Sequence, residues 1–202
     1  MLPDTMVTER LTLRRPVLDD ADAIFTRYAQ DPDVTKHLLW KPHESVVDTR
    51  AFVATCMRDW DLGISRFAYV VTLQHGSDDR VIGMAEVTVC DEVASLGYVL
   101  ARSHWGKGYA TEASRALVHE LMECDAVRRI EAVTEDNNVA SQRVLEKIGL
   151  AREEFLPGYY VRPERGAADV WMFGITKRAA RATRDFEHIF SEGSPFFEGS
   201  WC

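Results

Sequence analysis

The chain has 202 residues, room for one domain with a small appendage and enough length to bury a core of its own. Hydrophobic residues make up 46%, and Lys+Arg 24 against Asp+Glu 32 leaves a formal net charge of -8. That balance argues against a general nucleic-acid binder, which shows a basic stripe, and is mildly consistent with a cationic partner such as an amine. Apolar runs such as Phe67-Ala68-Tyr69-Val70-Val71 are far short of the roughly 20 residues of a membrane span. The N-terminal segment has no basic region and no apolar stretch of the secretory kind, so a cytoplasmic protein with no membrane association is expected. Cys56, Cys90, Cys124 and Cys202 lie far apart, without a CxxC pair or a His at ligand spacing, so neither a disulfide framework nor a metal site is expected.

Along the chain, residues 10–14 alternate polar and apolar, with Leu11 and Leu13 on one side, and Pro16 ends this half-buried strand. Asp19 and Asp20 are candidate N-caps for a helix with Ala21, Ile24, Phe25 and Tyr28 at core spacing, stopping near Asp31-Pro32-Asp33. A second helix opens at Ser45, with Asp48 three residues on in a near capping box, and buries Phe52, Val53, Cys56, Met57 and Trp60. From Phe67 the period becomes two. Strands are expected over 67–73, 81–90 and 95–101, separated by the polar turn QHGSDD and a short acidic turn, forming an antiparallel meander. A helix over 110–123, a strand over 130–134, a helix over 138–148 closed by Gly149, and a buried strand over 170–175 follow. This order describes an α+β fold with a mixed sheet.

The stretch richest in chemistry is GYVLARSHWGKGYATE, residues 97–112. A strand runs into a loop holding Gly106 and Gly108, and a helix starts at once. Glycines let a backbone approach a ligand closely, and the first N–H groups of a helix point outward unpaired, so the turn suits a phosphate, with Lys107 adding a charge. It equally suits a tight strand-to-helix turn with no ligand. A P-loop is excluded because Lys107 is followed by Gly108 and Tyr109. The dinucleotide fingerprint is half met, because Thr111 takes the third glycine position and an antiparallel meander precedes the loop.

Ser103-His104-Trp105-Gly106-Lys107-Gly108 resembles the Q/R-x-x-G-x-G/A signature of the GNAT superfamily of N-acetyltransferases, with Ser103 where Gln or Arg is usual and Arg102 beside it. WGKGYATEA is the form of the branch resembling the ribosomal-protein-alanine acetyltransferases (RimJ/RimL type). TERLTLRRP, LLWKPHES at 38–45, GYVL and NVASQRVLEKIGL at 138–150 agree with that branch in order and spacing. The resemblance covers 8–176. It implies a mixed, mostly antiparallel central sheet flanked by helices, with acetyl-CoA as co-substrate and no metal. The remaining 177–202 is expected to be a partly helical tail, packed on the domain or at a dimer contact, in a monomer or homodimer.

Carried over position by position, the resemblance gives the pyrophosphate to the backbone of Gly106, Lys107, Gly108, Tyr109, Ala110 and Thr111, beside Trp105. The Val99 and Leu100 backbone would run along the pantetheine and polarise the thioester carbonyl, an effect worth roughly 3 kcal/mol per donor. Asn138 and Ser141 match the family's N-x-x-S, in which the Asn contacts the cofactor and the Ser or a nearby Tyr protonates the departing thiolate. Trp40 and Tyr160 lie where the branch builds its acceptor pocket, although core aromatics read the same way.

No general base is announced. Glu86, sharing a strand face with Met84 and Thr88, is a candidate, and a solvated strand face is the alternative. A base is not required for every acceptor: an α-amine of pKa ~8 is about 10% neutral at pH 7, a lysine of pKa ~10.4 about 0.04%. The resemblance therefore implies direct attack of a primary amine, from a peptide N-terminus or a small molecule, on acetyl-CoA. A non-catalytic acyl-CoA-binding module that keeps the loop is the alternative from another class.

Overall fold

The computed structural model describes residues 2–63, 65–74, 81–162 and 166–177. Eight strands form one sheet in the order β1-β2-β3-β4-β5-β6-β8-β7. They are β1 (Thr5–Val7), β2 (Leu11–Arg14), β3 (Arg66–Leu73), β4 (Val81–Cys90), β5 (Val93–Leu100), β6 (Arg129–Glu135), β7 (Ala151–Arg162) and β8 (Gly166–Thr176). Every pairing is antiparallel except β5 with β6. The expected mixed, mostly antiparallel sheet flanked by helices is the observed one. Asp91 and Glu92, the acidic turn between β4 and β5, both take positive φ (47° and 66°), as a two-residue hairpin turn requires.

Helices cover both faces. On one side, α1 (Asp20–Ile24), the π turn Phe25–Ala29 that continues it, α2 (Pro32–Thr35) and α3 (Val46–Asp61) bury Ile24, Tyr28, Val53 and Cys56 against Ala68, Val70 and Met84. On the other, α4 (Tyr109–Glu123) and α5 (Val139–Lys147) bury Leu117, Leu121 and Leu145 against Leu13, Tyr69, Val87 and Leu96. The capping box at α3 forms in full between Ser45 and Asp48. At α1 neither expected Asp caps with its side chain. The Asp20 carboxylate instead accepts from the Val17 N–H at 2.8 Å and from Arg14 at 2.7 and 2.9 Å.

Sequence reading missed β7 and half of β8. β7 is an edge strand whose Pro157-Gly158 resembles a turn; the structure absorbs the pair as an irregularity in register between Leu156 and Tyr160. Gly158 takes φ 64° there, its N–H donating to Asp169 Oδ1 at 2.8 Å. β1 has three residues and carries no periodicity to read. Most of the QHGSDD turn and all but Lys177 of the expected tail lie outside the described residues. Among the described residues no helix is long and apolar enough to cross a membrane.

Gly83 sets the line of β5. A Cβ built there would lie 2.6 Å from Leu100 Cδ2 and nearer still to the Val99 carbonyl oxygen. The strand that lines the site described next is therefore packed against bare backbone.

Candidate active site

The site arises where the one parallel pairing fails. β5 and β6 are joined at Val93–Arg129, Ala94–Ile130 and Ser95–Glu131, and from there the strands part. Backbone groups beyond that point lack their sheet neighbour, and a cavity of about 1290 Å³ opens on both sides of the gap. Ala101 N–H donates to Ile82 O at 2.8 Å, so antiparallel alternation turns the peptide groups of Val99 towards β4 and those of Tyr98 and Leu100 into the cleft. The Leu100 carbonyl is taken by the Trp105 indole N–H at 2.8 Å, which leaves its N–H facing the gap.

At the end of β5 the chain passes through a short 3₁₀ turn, Arg102–His104, into the glycine loop. Gly106 and Gly108 both take left-handed conformations, φ 72° and 83°, which other residues adopt with strain. Gly108 is the N-cap of α4 and offers no side chain to it. The first helical bond within the turn is from Glu112 N–H to Gly108 O at 3.0 Å, so the N–H groups of Tyr109, Ala110 and Thr111 point outward at the positive end of a fifteen-residue helix. A Cβ at Gly106 would meet nothing within 4 Å, so the space above the loop is open. A diphosphate fits this concavity: backbone donors and a helix dipole face it, while the exposed Lys107 side chain does not line the cavity.

The loop is held from below by residues that sequence reading did not single out. Glu112 Oε1 accepts from Thr8 Oγ1 at 2.6 Å and from the Arg10 N–H at 2.8 Å, while its other oxygen takes the Arg10 guanidinium at 2.6 Å. Arg10 also donates to the Lys107 carbonyl at 3.1 Å and lies over the Tyr109 ring, 4.7 Å from its centroid. No local motif signals this arrangement, because its partners are about a hundred residues apart. Ser103, in the first position of the signature, turns its hydroxyl to His104 Nδ1 at 3.0 Å, and Arg102 pairs with Asp33 at 2.5 Å.

Across the gap, Asn138 caps α5 with its side-chain oxygen on the Ser141 N–H at 3.2 Å. This places Ser141 at the cleft wall, where its Oγ lies 2.8 Å from the Tyr98 hydroxyl of β5. Burial pushes the Tyr98 phenol up to about 12, the bond to Ser141 opposing this in part. Tyr98 stands in the GYVL segment, and strand alternation alone would have put it on the same face as Leu96 and Leu100.

The rest of the cavity lies on the α1–α3 side. Glu86 faces it, but its Oε2 is held by Arg66 Nε at 2.8 Å and Nη2 at 2.7 Å, with Asp59 3.4 Å from the same guanidinium. Trp40 packs on the His43 ring at 5.1 Å between centroids, and His43 on Phe52 at 6.1 Å. His43 Nδ1 is bonded to Thr49 Oγ1 at 2.7 Å, and burial lowers its pKa, Asp48 nearby opposing this in part. Tyr159 and Tyr160 of β7 line the same space, their rings 5.6 Å apart. His37 Nδ1 lies 2.7 Å from the buried Glu135 at the end of β6, tying the segment after α2 to the far rim of the gap. Val99, Leu100, the glycine loop, Asn138, Ser141, Trp40, Glu86 and Tyr160 thus border one continuous cavity. Among the described residues no three His, Cys, Asp or Glu converge as a metal site.

Residues 10–151 match the acetyltransferase (GNAT) domain family. The uncharacterised N-acetyltransferase p20 of Bacillus licheniformis is 35% identical over 180 residues, 87% of this chain and 97% of that protein. A solved GNAT-family acetyltransferase from Bacillus anthracis superposes with a TM-score of 0.75 at 26% identity, covering 86% of this chain and 99% of that one. RimL, an α-N-acetyltransferase of ribosomal L7/L12 solved with coenzyme A, shares the fold at a TM-score of 0.76 and 20% identity, over 86% and 98% of the two chains. With the glycine loop, the parted strands and the family match in agreement, the chain belongs to the GNAT acetyltransferase family and is an acetyl-CoA-dependent N-acetyltransferase.

Proposed function

We propose that the protein acetylates a primary amine presented on the α1–α3 side of the sheet, taking the acetyl group from acetyl-CoA that enters from the α4–α5 side. One observation carries this reading: the pairing of β5 with β6 stops after Ser95 and Glu131, so a single cavity connects the Gly106–Gly108 loop with Trp40, Glu86 and Tyr160. Acetyl-CoA supplies an acyl group already activated as a thioester, and the residues need only bind, orient and stabilise charge. Tyr109, Ala110 and Thr111 N–H groups would hold the pyrophosphate, with Lys107 as counter-charge. The Leu100 N–H, facing the gap, would stabilise negative charge gathering on the acetyl oxygen. Ser141 would donate to the sulfur as it leaves.

The acceptor belongs to the class met by relatives of the RimJ/RimL kind, a peptide N-terminus or a small-molecule amine. Glu86 lines the amine side of the cavity as a carboxylate paired with Arg66 rather than as an isolated base. A weakly basic amine, partly neutral at pH 7, needs no stronger base than water. An acetyl-CoA-dependent reaction of this kind is consistent with a cytoplasmic setting. The test is release of CoA thiol from acetyl-CoA across a panel of N-terminal peptides, polyamines and amino acids, with the product identified by mass spectrometry. Acceptor-dependent release with acetylated α-amine or small amine is expected; acetyl-CoA binding without turnover on any amine would overturn the reading.

A further inference from the structure

A tyrosine on the apolar face of a central strand buries a hydroxyl that needs a partner. Alternation along β5 puts Tyr98 with Ala94, Leu96 and Leu100, whose side chains are all buried. The parallel neighbour that would have covered Tyr98 has already diverged, so its hydroxyl crosses the gap to α5 instead. There it meets Ser141 twice, at 2.8 Å from Oγ and 3.4 Å from the carbonyl oxygen. The Oγ contact has the length of a good O–H···O bond; the second is long.

The direction of that bond decides what Ser141 can do. A hydroxyl has one proton to give and two lone pairs to receive with. A phenol is a stronger acid than an alkanol and is the better donor of the two. Burial also holds Tyr98 in its protonated form throughout the neutral range. With Tyr98 donating, the Ser141 proton is not spent on Tyr98 and turns into the cleft. With the direction reversed, Ser141 has nothing left for a substrate atom.

We propose that Tyr98 is a positioning residue for acetyl transfer: its hydroxyl donates to Ser141 Oγ and thereby aims the Ser141 proton at the departing sulfur. The inference rests on the reading of Ser141 given above. As the N–C bond forms and the C–S bond breaks, the amine nitrogen releases one proton to water, and the departing sulfur, stabilised by the hydrogen bond from Ser141, takes one from water. Ser141 and Tyr98 both keep their protons, since handing either to a thiolate, whose thiol has a pKa near 8.5, would be uphill.

The test uses the full chain with Tyr98→Phe, Ser141→Ala and the double variant, read by steady-state kinetics, CoA calorimetry and thermal melting. Phe keeps the ring and its packing, so folding is retained. Tyr98→Phe should lower kcat about 3- to 10-fold, the scale of one neutral hydrogen bond, with CoA affinity and both KM values within about 2-fold. The double variant should be no slower than Ser141→Ala, because Tyr98 acts only through that hydroxyl. Wild-type kcat in Tyr98→Phe beside an impaired Ser141→Ala would overturn the role of Tyr98 and leave that of Ser141 standing. Multiplying losses in the double variant, or a loss confined to KM and melting temperature, would also overturn it. Wild-type kcat in Ser141→Ala would instead remove the underlying reading of Ser141.

Discussion

The Arg10 guanidinium and the Glu112 carboxylate, 102 positions apart, meet at 2.6 Å directly beneath the glycine loop. Glu112 stands in the first turn of α4, where its charge also complements the helix dipole, and it gathers Thr8 and Arg10 at the turn before β2. Arg10 in turn reaches the Lys107 carbonyl. The pair therefore couples the start of the domain to the loop that receives the pyrophosphate. Glu112→Ala should cost about 1–2 kcal/mol, the value of charge-assisted bonds reduced because Arg10 is 41% exposed, or roughly 3–8 °C in melting temperature. Acetyl-CoA affinity should fall about 3- to 10-fold, the equivalent of one weakened contact. Calorimetry and thermal melting on the same preparation check both.

Gly108 is the second test of the loop. Its φ of 83° disfavours any side chain, and a Cβ would come within 3.3 Å of Arg10 Nη2. Gly108→Val should weaken acetyl-CoA binding by on the order of 10-fold or more, about 1.4 kcal/mol, with the circular-dichroism spectrum unchanged. A folded variant with wild-type affinity would remove the loop from the cofactor site.

Ser141→Ala should lower kcat about 10- to 100-fold while moving either KM little, since the lost bond is made mainly to the leaving thiolate. The loss stays below that of a full general acid because water can protonate a thiolate whose thiol has a pKa of ~8.5 near neutrality. If acceptor KM alone rises, Ser141 belongs to the amine pocket instead.

His43 gives the fold a pH signature. Burial lowers its pKa in the native state, so protonation favours the unfolded chain. Its contribution is complete above the unfolded value of about 6.5 and is lost as pH falls through the native one. The urea midpoint should therefore drop between pH 7.5 and 5.5 more steeply in the wild type than in His43→Gln. Equal slopes would show that the ring between Trp40 and Phe52 does not couple to stability.

The helices other than α2, the meander and the glycine loop were legible because each depends on neighbours within a few residues. Ser45 and Asp48 write their capping box in four positions, and Gly149 ends α5 with φ 91° as its place in the pattern required. Gly106 and Gly108 announced a tight strand-to-helix turn, and the surrounding motifs carried the family. β7 was not legible, because an edge strand needs one partner and little apolar alternation, and Pro157-Gly158 imitates a turn. Tertiary structure alone decided that Asp20 binds Arg14, that Arg66 neutralises Glu86, and that Glu112 supports the loop through Arg10. It also decided where β5 and β6 part, and so that Tyr98 finds Ser141 instead of a sheet neighbour. These contacts join elements far apart in the chain, and local pattern constrains a residue's face without naming what stands opposite it.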